Sequence, residues 1–320
     1  SLSFLYSKKE FLRQVIKHKQ KTETLFNKSP RIFRNTELVF SNELAKFMDE
    51  MGYKGIICEG TDKALGQRSP DFVYHSAHNY YFKCLLRNYK LSDDIAFRFS
   101  DSGWEQYPLT ASKFADWVQQ TAASSDTINL FMDYETFGEH KWAESGIFEF
   151  LKQPPAELLQ RKLEFKTPSE TVETYPVKGK YDVAGYNSWA DTERDLSAWL
   201  GNSLQQDAME RLYQLEEAVK ETNDKKLLET WSKLQTSDHF YYMCTKHWND
   251  GEVHKYFNPY KTPYDAYINY MNIITDLENV LENRKLSLQF QAQARKKFKY
   301  EALLTEKDTT ENMEPSASYM

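Results

Sequence analysis

Apolar and polar positions follow two different rhythms along this chain, and the change comes near residue 190. Over residues 8–27, Phe11, Val15, Ile16 and Leu25 stand among many lysines, which predicts an amphipathic helix. "RIFRNTE" reads as a short strand whose end carries Glu37. "SNELAKFMDEMG" reads as a helix that Ser41 or Asn42 caps and Gly52 stops. "YKGIICEG" is strand-like and ends at Glu59. Residues 79–99, rich in Tyr, Phe and Leu, read as strands split by the loop "KLSDD". "TASKFADWVQQTAA" is a helix capped by Thr110 or Ser112. "TINLFMDYE" has the strongest strand pattern of all. "SGIFEFLKQP" is a helix that Pro154 and Pro155 end, and "LEFKTPSETVETY" is a strand followed by a helix starting near Pro168 or Ser169.

Alternating strand and helix up to about residue 175 imply parallel strands joined by crossovers, an α/β class. From about 190, "ERDLSAWLGNSLQQDAMERLYQLEEAVKE", "DKKLLETWSKLQ" and the run from "PYDAYINYM" to "KYEALL" read as long helices. The polar, glycine-containing "PVKGKYDVAGYNS" reads as the connector. The expected organisation is an α/β region over 1–180, a helical region over 181–305 and a disordered tail over 306–320.

Composition narrows the classes. Of 320 residues, 40% are apolar, enough for a sizeable core. Aromatics make up 15%, which fits either an aromatic core or a groove for flat, hydroxylated ligands such as sugars. The net charge of −6 argues against a nucleic-acid partner, and no apolar run is long enough for a membrane span. Cys58, Cys84 and Cys244 are widely spaced and read as buried apolar residues in a reducing, cytoplasmic setting. His75, His78, His239 and His254 lack metal-ligand spacing, and neither a phosphate loop nor a dinucleotide glycine motif occurs.

The candidate chemistry is acidic. In parallel α/β folds ligands bind beyond the carboxyl ends of strands. Glu37 and Asp133 stand there, and Glu59 and Glu170 hold comparable places. Any one such acid could instead cap a helix or pair with an arginine. Several converging acids suit glycosidic cleavage, in which one carboxylate attacks and a protonated partner donates to the leaving oxygen. By residues alone, the reading is an α/β enzyme with an acidic site, acting on sugars.

At "FRNTEL", "MDYETFGEH" and "SDHFYYM" the chain resembles glycoside hydrolase family 57 in its α-amylase-like branch. These stretches are similar to the third, fourth and fifth of the family's five motifs. The resemblance implies retaining cleavage or transfer on α-glucans or maltooligosaccharides, with no metal or other cofactor. It implies Glu37 as nucleophile and Asp133 as general acid/base. Asp238 matches an acid that holds substrate near the cleavage point, and His140 and Tyr241 fall among substrate contacts. Arg34, three positions before Glu37, falls where some members have Trp. Glu135 would help keep Asp133 protonated, and Gly138 would let the backbone turn sharply.

The family's first two motifs are not found. The implied fold is therefore an incomplete (β/α)7-type barrel lacking its first strands, followed by a C-terminal α-helical region, with one apolar edge open. An inert carbohydrate-binding or scaffold protein of the same fold is the alternative. A polysaccharide deacetylase would need a His/Asp metal set. Trp189, ahead of the helices, is a candidate groove wall, whereas Trp199 reads as helix core. Asp191 and Asp195 stand beside them, and His247, Trp248, Tyr256 and Tyr260 either rim a cleft or pack as an aromatic loop.

Overall fold

A computed structural model describes residues 1–246 and 258–311. A five-stranded sheet organises the first part: β1 (Ile32–Arg34), β2 (Gly55–Glu59), β3 (Val73–Ser76), β4 (Lys83–Arg87) and β5 (Val177–Tyr181), in the order β1-β2-β4-β3-β5. β1, β2 and β4 run parallel, as expected; β3 is antiparallel to β4 and parallel to β5. The sheet is therefore mixed, because β3 and β4 are joined by a short reversal over "AHNYYF" rather than a helical crossover.

Helices Lys8–Phe26 and Asn42–Glu50 cover one face of the sheet. Phe11, Val15, Leu44 and Met48 pack there with Ile56, Cys58, Cys84 and Leu86. Ile57, Leu85 and Val73 face the other way, against Val172 of helix Pro168–Thr174. Ser41 caps its helix by accepting from the Leu44 amide, and Thr110 caps Ala111–Ala122 in the same way through Lys113. All three cysteines are unpaired and buried.

Four local expectations fail, each for a physical reason. Residues 89–96 form a helix, Tyr89–Ala96, which Asn88 caps through the Leu91 amide; Leu91 and Ile95 share its buried face. "TINLFM" is extended but joins no ladder. Its bonds go to the end of β4, the helix after it and the approach to β3: Asn129 Nδ2 donates to Leu86 O at 3.0 Å, the Asn88 amide to Asn129 O at 2.9 Å, the Phe131 amide to Ser92 Oγ at 3.3 Å, and the Thr127 amide to Asp71 O at 3.2 Å. "LEFK" forms no strand. The connector "PVKGKY" becomes β5, a sheet edge whose exposed Lys178 and Lys180 made it read as a linker. In addition, Pro154 and Pro155 end one helix, Ile147–Lys152, and start another, Pro154–Gln160, where proline suits the first turn.

The later helices, among them Ser203–Gln214, Lys225–Leu234 and Pro263–Glu311, build a separate core around Trp199, Met209, Trp231 and Phe240. Residues 312–320 of the expected tail, and His247, Trp248, His254 and Tyr256, lie outside the described residues. Val39 belongs to this helical core while Phe40 belongs to the sheet core. The residues just after Glu37 therefore stitch the two regions together. No described helix is long and apolar enough to cross a membrane.

Trp199 is 2% exposed and sits in the helical core, as its spacing predicted. Trp199→Ala should lower unfolding free energy by roughly 3–5 kcal/mol, read by urea denaturation. A folded variant of unchanged stability would contradict the core placement.

Candidate active site

Glu37 follows β1 in a short 3-10 turn, Thr36–Leu38, opened by the buried Asn35, whose Oδ1 accepts from the Thr36 amide. Glu37 and Leu38 both have left-handed backbones, with φ of 54° and 49°. Non-glycine residues in this region cost about 1–3 kcal/mol each and persist only where neighbours fix them. The neighbour is residues 187–189. Asn187 and Phe40 exchange two backbone bonds of 2.9 Å. Trp189 then donates its amide to Glu37 O at 3.2 Å and its indole Nε1–H to Glu37 Oε2 at 2.8 Å.

Asp133 ends the extended "NLFM" segment. Leu130 and Met132 pack on the helical cluster around Phe114, which sets the segment's orientation. Beyond Asp133, the Glu139 and His140 amides both donate to Glu135 O, and Gly138 turns with φ of 118°. An L side chain rarely adopts that angle, so the expected role of Gly138 holds. Arg34 Nη2 lies 3.9 Å from Asp133 Oδ1, with both side chains about half exposed, so this pair is worth little by itself. The Arg34 guanidinium also rests on the Trp189 ring, 5.0 Å from its centre.

The electrostatics show what has been brought together. Burial pushes the Glu37 carboxyl up; the Trp189 N–H opposes this, and the charges of Asp133 and Asp238 add to it. Burial also pushes Asp133 up; Arg34 and His140 oppose this, while Glu135 reinforces it. Glu37, Asp133, Asp238, Arg34 and Trp189 therefore share one electrostatic neighbourhood, although they come from four separate stretches. His140 and Glu135 join it through Asp133. Asp238 arrives on the exposed first turn of helix Ser237–Tyr241. Tyr241 is partly buried against the helical core, its ring 6.2 Å from that of Trp199. Tyr260 packs on Tyr242.

The other acids divide as the cautious reading allowed. Glu170 is a helix cap, in a reciprocal box with Thr167. Glu59 is fully buried and pairs with Arg87 at 3.2 Å and Arg194 at 3.5 Å. Asp195 accepts from the Ser197 amide, and Asp191 lies 3.7 Å from Lys246. A cleft of about 470 Å³ opens beside Glu59, lined also by Asp62, Tyr89, Tyr186 and Arg194, and includes neither Glu37 nor Asp133. Among the described residues, no group of three or more His, Cys, Asp or Glu is arranged to hold a metal.

The sequence model of glycosyl hydrolase family 57 matches residues 1–184, more than half the chain and the part that carries both candidate acids. The chain belongs to this family. A curated relative from Methanocaldococcus jannaschii, named "Putative alpha-amylase", is 42% identical over 309 residues, which cover 93% of this chain and 65% of that protein. The chain thus spans about two-thirds of the length of the curated relative it matches. Two solved structures share the fold at low identity. A family 57 branching enzyme from Thermococcus kodakaraensis, crystallised in complex with glucose and additives, superposes with a TM-score of 0.61 at 13% identity, over 84% of this chain and 62% of that one. The branching enzyme from Pyrococcus horikoshii gives 0.59 at 14% identity, over 84% and 61%. These likenesses support the α/β fold expected from the sequence.

Glu37 and Asp133 both have carboxyls raised above the usual range, so the folded state favours their protonated forms. A raised acid contributes stability that is present below its unfolded value and is lost as pH rises through its folded value. Glu37→Gln should therefore melt higher than the parent at neutral pH, by roughly 2 °C for about 1 kcal/mol. The difference should vanish below pH 4, as read by calorimetric melts across pH. A variant less stable at pH 7 would contradict the burial assigned to Glu37.

Proposed function

We propose that this family 57 member cleaves or transfers α-glucosidic bonds by a two-carboxylate double displacement. The substrate is an α-glucan or maltooligosaccharide. One observation carries the reading: Trp189 holds the Glu37 carboxylate at 2.8 Å, and Arg34, resting on the Trp189 ring at 5.0 Å, reaches Asp133 at 3.9 Å.

The roles follow from what surrounds each acid. An N–H donor stabilises a carboxylate and cannot take a proton from it, so Trp189 favours the charged, attacking form of Glu37. Asp133 has Glu135 as a like-charged neighbour, which favours its protonated form. In the first step Glu37 attacks the anomeric carbon, the glycosidic C–O bond breaks, and the Asp133 proton goes to the leaving oxygen. In the second step, water or a sugar hydroxyl attacks the same carbon and gives its proton to Asp133, and the ester to Glu37 breaks. Two inversions give net retention. Asp238, whose charge acts on Glu37, would accept substrate hydroxyls at the cleavage point, and His140, Arg34, Trp189 and Tyr241 would contact the substrate.

The test is product analysis on maltooligosaccharides with the intact protein. The first product seen by proton NMR should be the α-anomer. Glu37→Gln should lower kcat by more than about 10³-fold without loss of fold. Near-normal turnover by that variant, or a β-anomer released first, would overturn the proposal.

A further inference from the structure

Arg87 lies beneath the site and belongs to no motif discussed above. It ends β4, directly across the parallel ladder from Glu59 at the end of β2. Its side chain is 3% exposed, yet every donor edge is engaged. Nε donates to Phe131 O at 2.6 Å, Nη1 to Glu59 Oε2 at 3.2 Å, and Nη2 to Asp93 Oδ1. The flat guanidinium also lies against the Trp189 indole, 5.4 Å from the ring centre.

Two of these contacts lead to the two acids. Phe131 is two residues before Asp133 on an extended segment without a ladder of its own, so the bond from Arg87 supplies part of the fixing that a neighbouring strand would give. Trp189 is the residue that grips Glu37 by backbone and side chain. The remaining contacts hold Arg87 itself, since Glu59 and Asp93 are both also approached by Arg194. Arg194 in turn donates to Trp189 O at 2.8 Å. Two arginines and two acids thus form a set of four charges; Arg87 links it to the Phe131 carbonyl, both arginines link it to Trp189, and Arg194 also lies over the Tyr89 ring at 5.3 Å. We infer that Arg87 is a positioning residue that sets the placement of Glu37 and Asp133 relative to each other, through Trp189 and the Phe131 carbonyl.

This inference rests on the function proposed above, and the experiment separates the two. Parent, Glu37→Gln, Arg87→Lys, Trp189→Phe and the Arg87→Lys/Trp189→Phe double variant of the intact protein are compared on a maltooligosaccharide, with circular dichroism to check folding. Lysine keeps the charge for Glu59 and Asp93 but loses the Nε bond and the flat stacking surface. Arg87→Lys should lower kcat about 10- to 100-fold with KM within about threefold. The Arg87 charge opposes the upward push on Asp133. Lysine draws that charge back toward Glu59, so the alkaline limb of the kcat profile should move to higher pH. The double variant should be no more than about twofold slower than the worse single one, because both act along one chain of contacts. If the parent turns over and Glu37→Gln does not, a folded Arg87→Lys with parental kcat and an unmoved limb overturns the inference alone. Full additivity in the double variant also overturns it, as does a loss confined to KM. An inactive parent overturns both readings.

Discussion

Trp189 grips Glu37 twice, by its amide on the backbone carbonyl and by its indole N–H on the carboxylate, and the site is organised around that hold. Glu37 needs it because two successive left-handed residues are an unfavourable way to leave a strand. The turn is kept because its two ends are anchored in different cores. Leu38, Val39 and Phe40 are all buried, Val39 among the helices and Phe40 against the sheet. Relaxing the turn would pull one of them from its core, a loss of roughly 1.5–3 kcal/mol per side chain. Packing thus sustains local strain and presents a carboxylate at the seam between the sheet and the helical region.

The charges are arranged on the same plan. A buried carboxylate such as Glu59 carries a large desolvation cost, offset here by two guanidinium groups rather than one. Glu10, equally buried, is held by Arg13 and by Lys220 of the helical region at 2.9 Å. Its contacts join the first long helix to the later helices, so a second ionic tie supports the seam. Glu37 and Asp133 have weaker compensation. Among the described residues no salt bridge holds Glu37, and Arg34 reaches Asp133 only at 3.9 Å. Acids left in this condition keep raised, mutually dependent protonation, which suits the division into nucleophile and proton donor proposed for this pair.

What the sequence revealed and what it concealed follow one physical divide. Local signals were legible. Ser41 and Thr110 cap the helices they were expected to open, a helix starts at Pro168 as expected, Gly138 turns the chain, and Trp199 is core. The acids at strand tips and the family motifs pointed to Glu37, Asp133 and Asp238, and in the structure the charges of the last two act on Glu37. Signals that depend on distant partners were not legible. "NLFM" alternates like a strand, but β3 already occupies the flank of β4, so the segment takes only the end of that strand. β5 looks like a linker because an edge strand tolerates lysines. The helix Tyr89–Ala96 is hard to see in sequence because its apolar stripe is short, Leu91 and Ile95 at i, i+4 within an aromatic-rich stretch. Arg87 carried only a weak clue, an arginine closing the otherwise apolar "KCLL".

A covalent label tests the central claim most directly. The intact protein would be treated with a gluco-configured cyclophellitol-type epoxide, which is opened by the nucleophile of a retaining glucosidase, and then digested for peptide mass mapping. The account predicts one adduct per chain, on the peptide that contains Glu37 and on that side chain. A label on Asp133 or on Glu59, or complete inactivation with Glu37 unmodified, would contradict it.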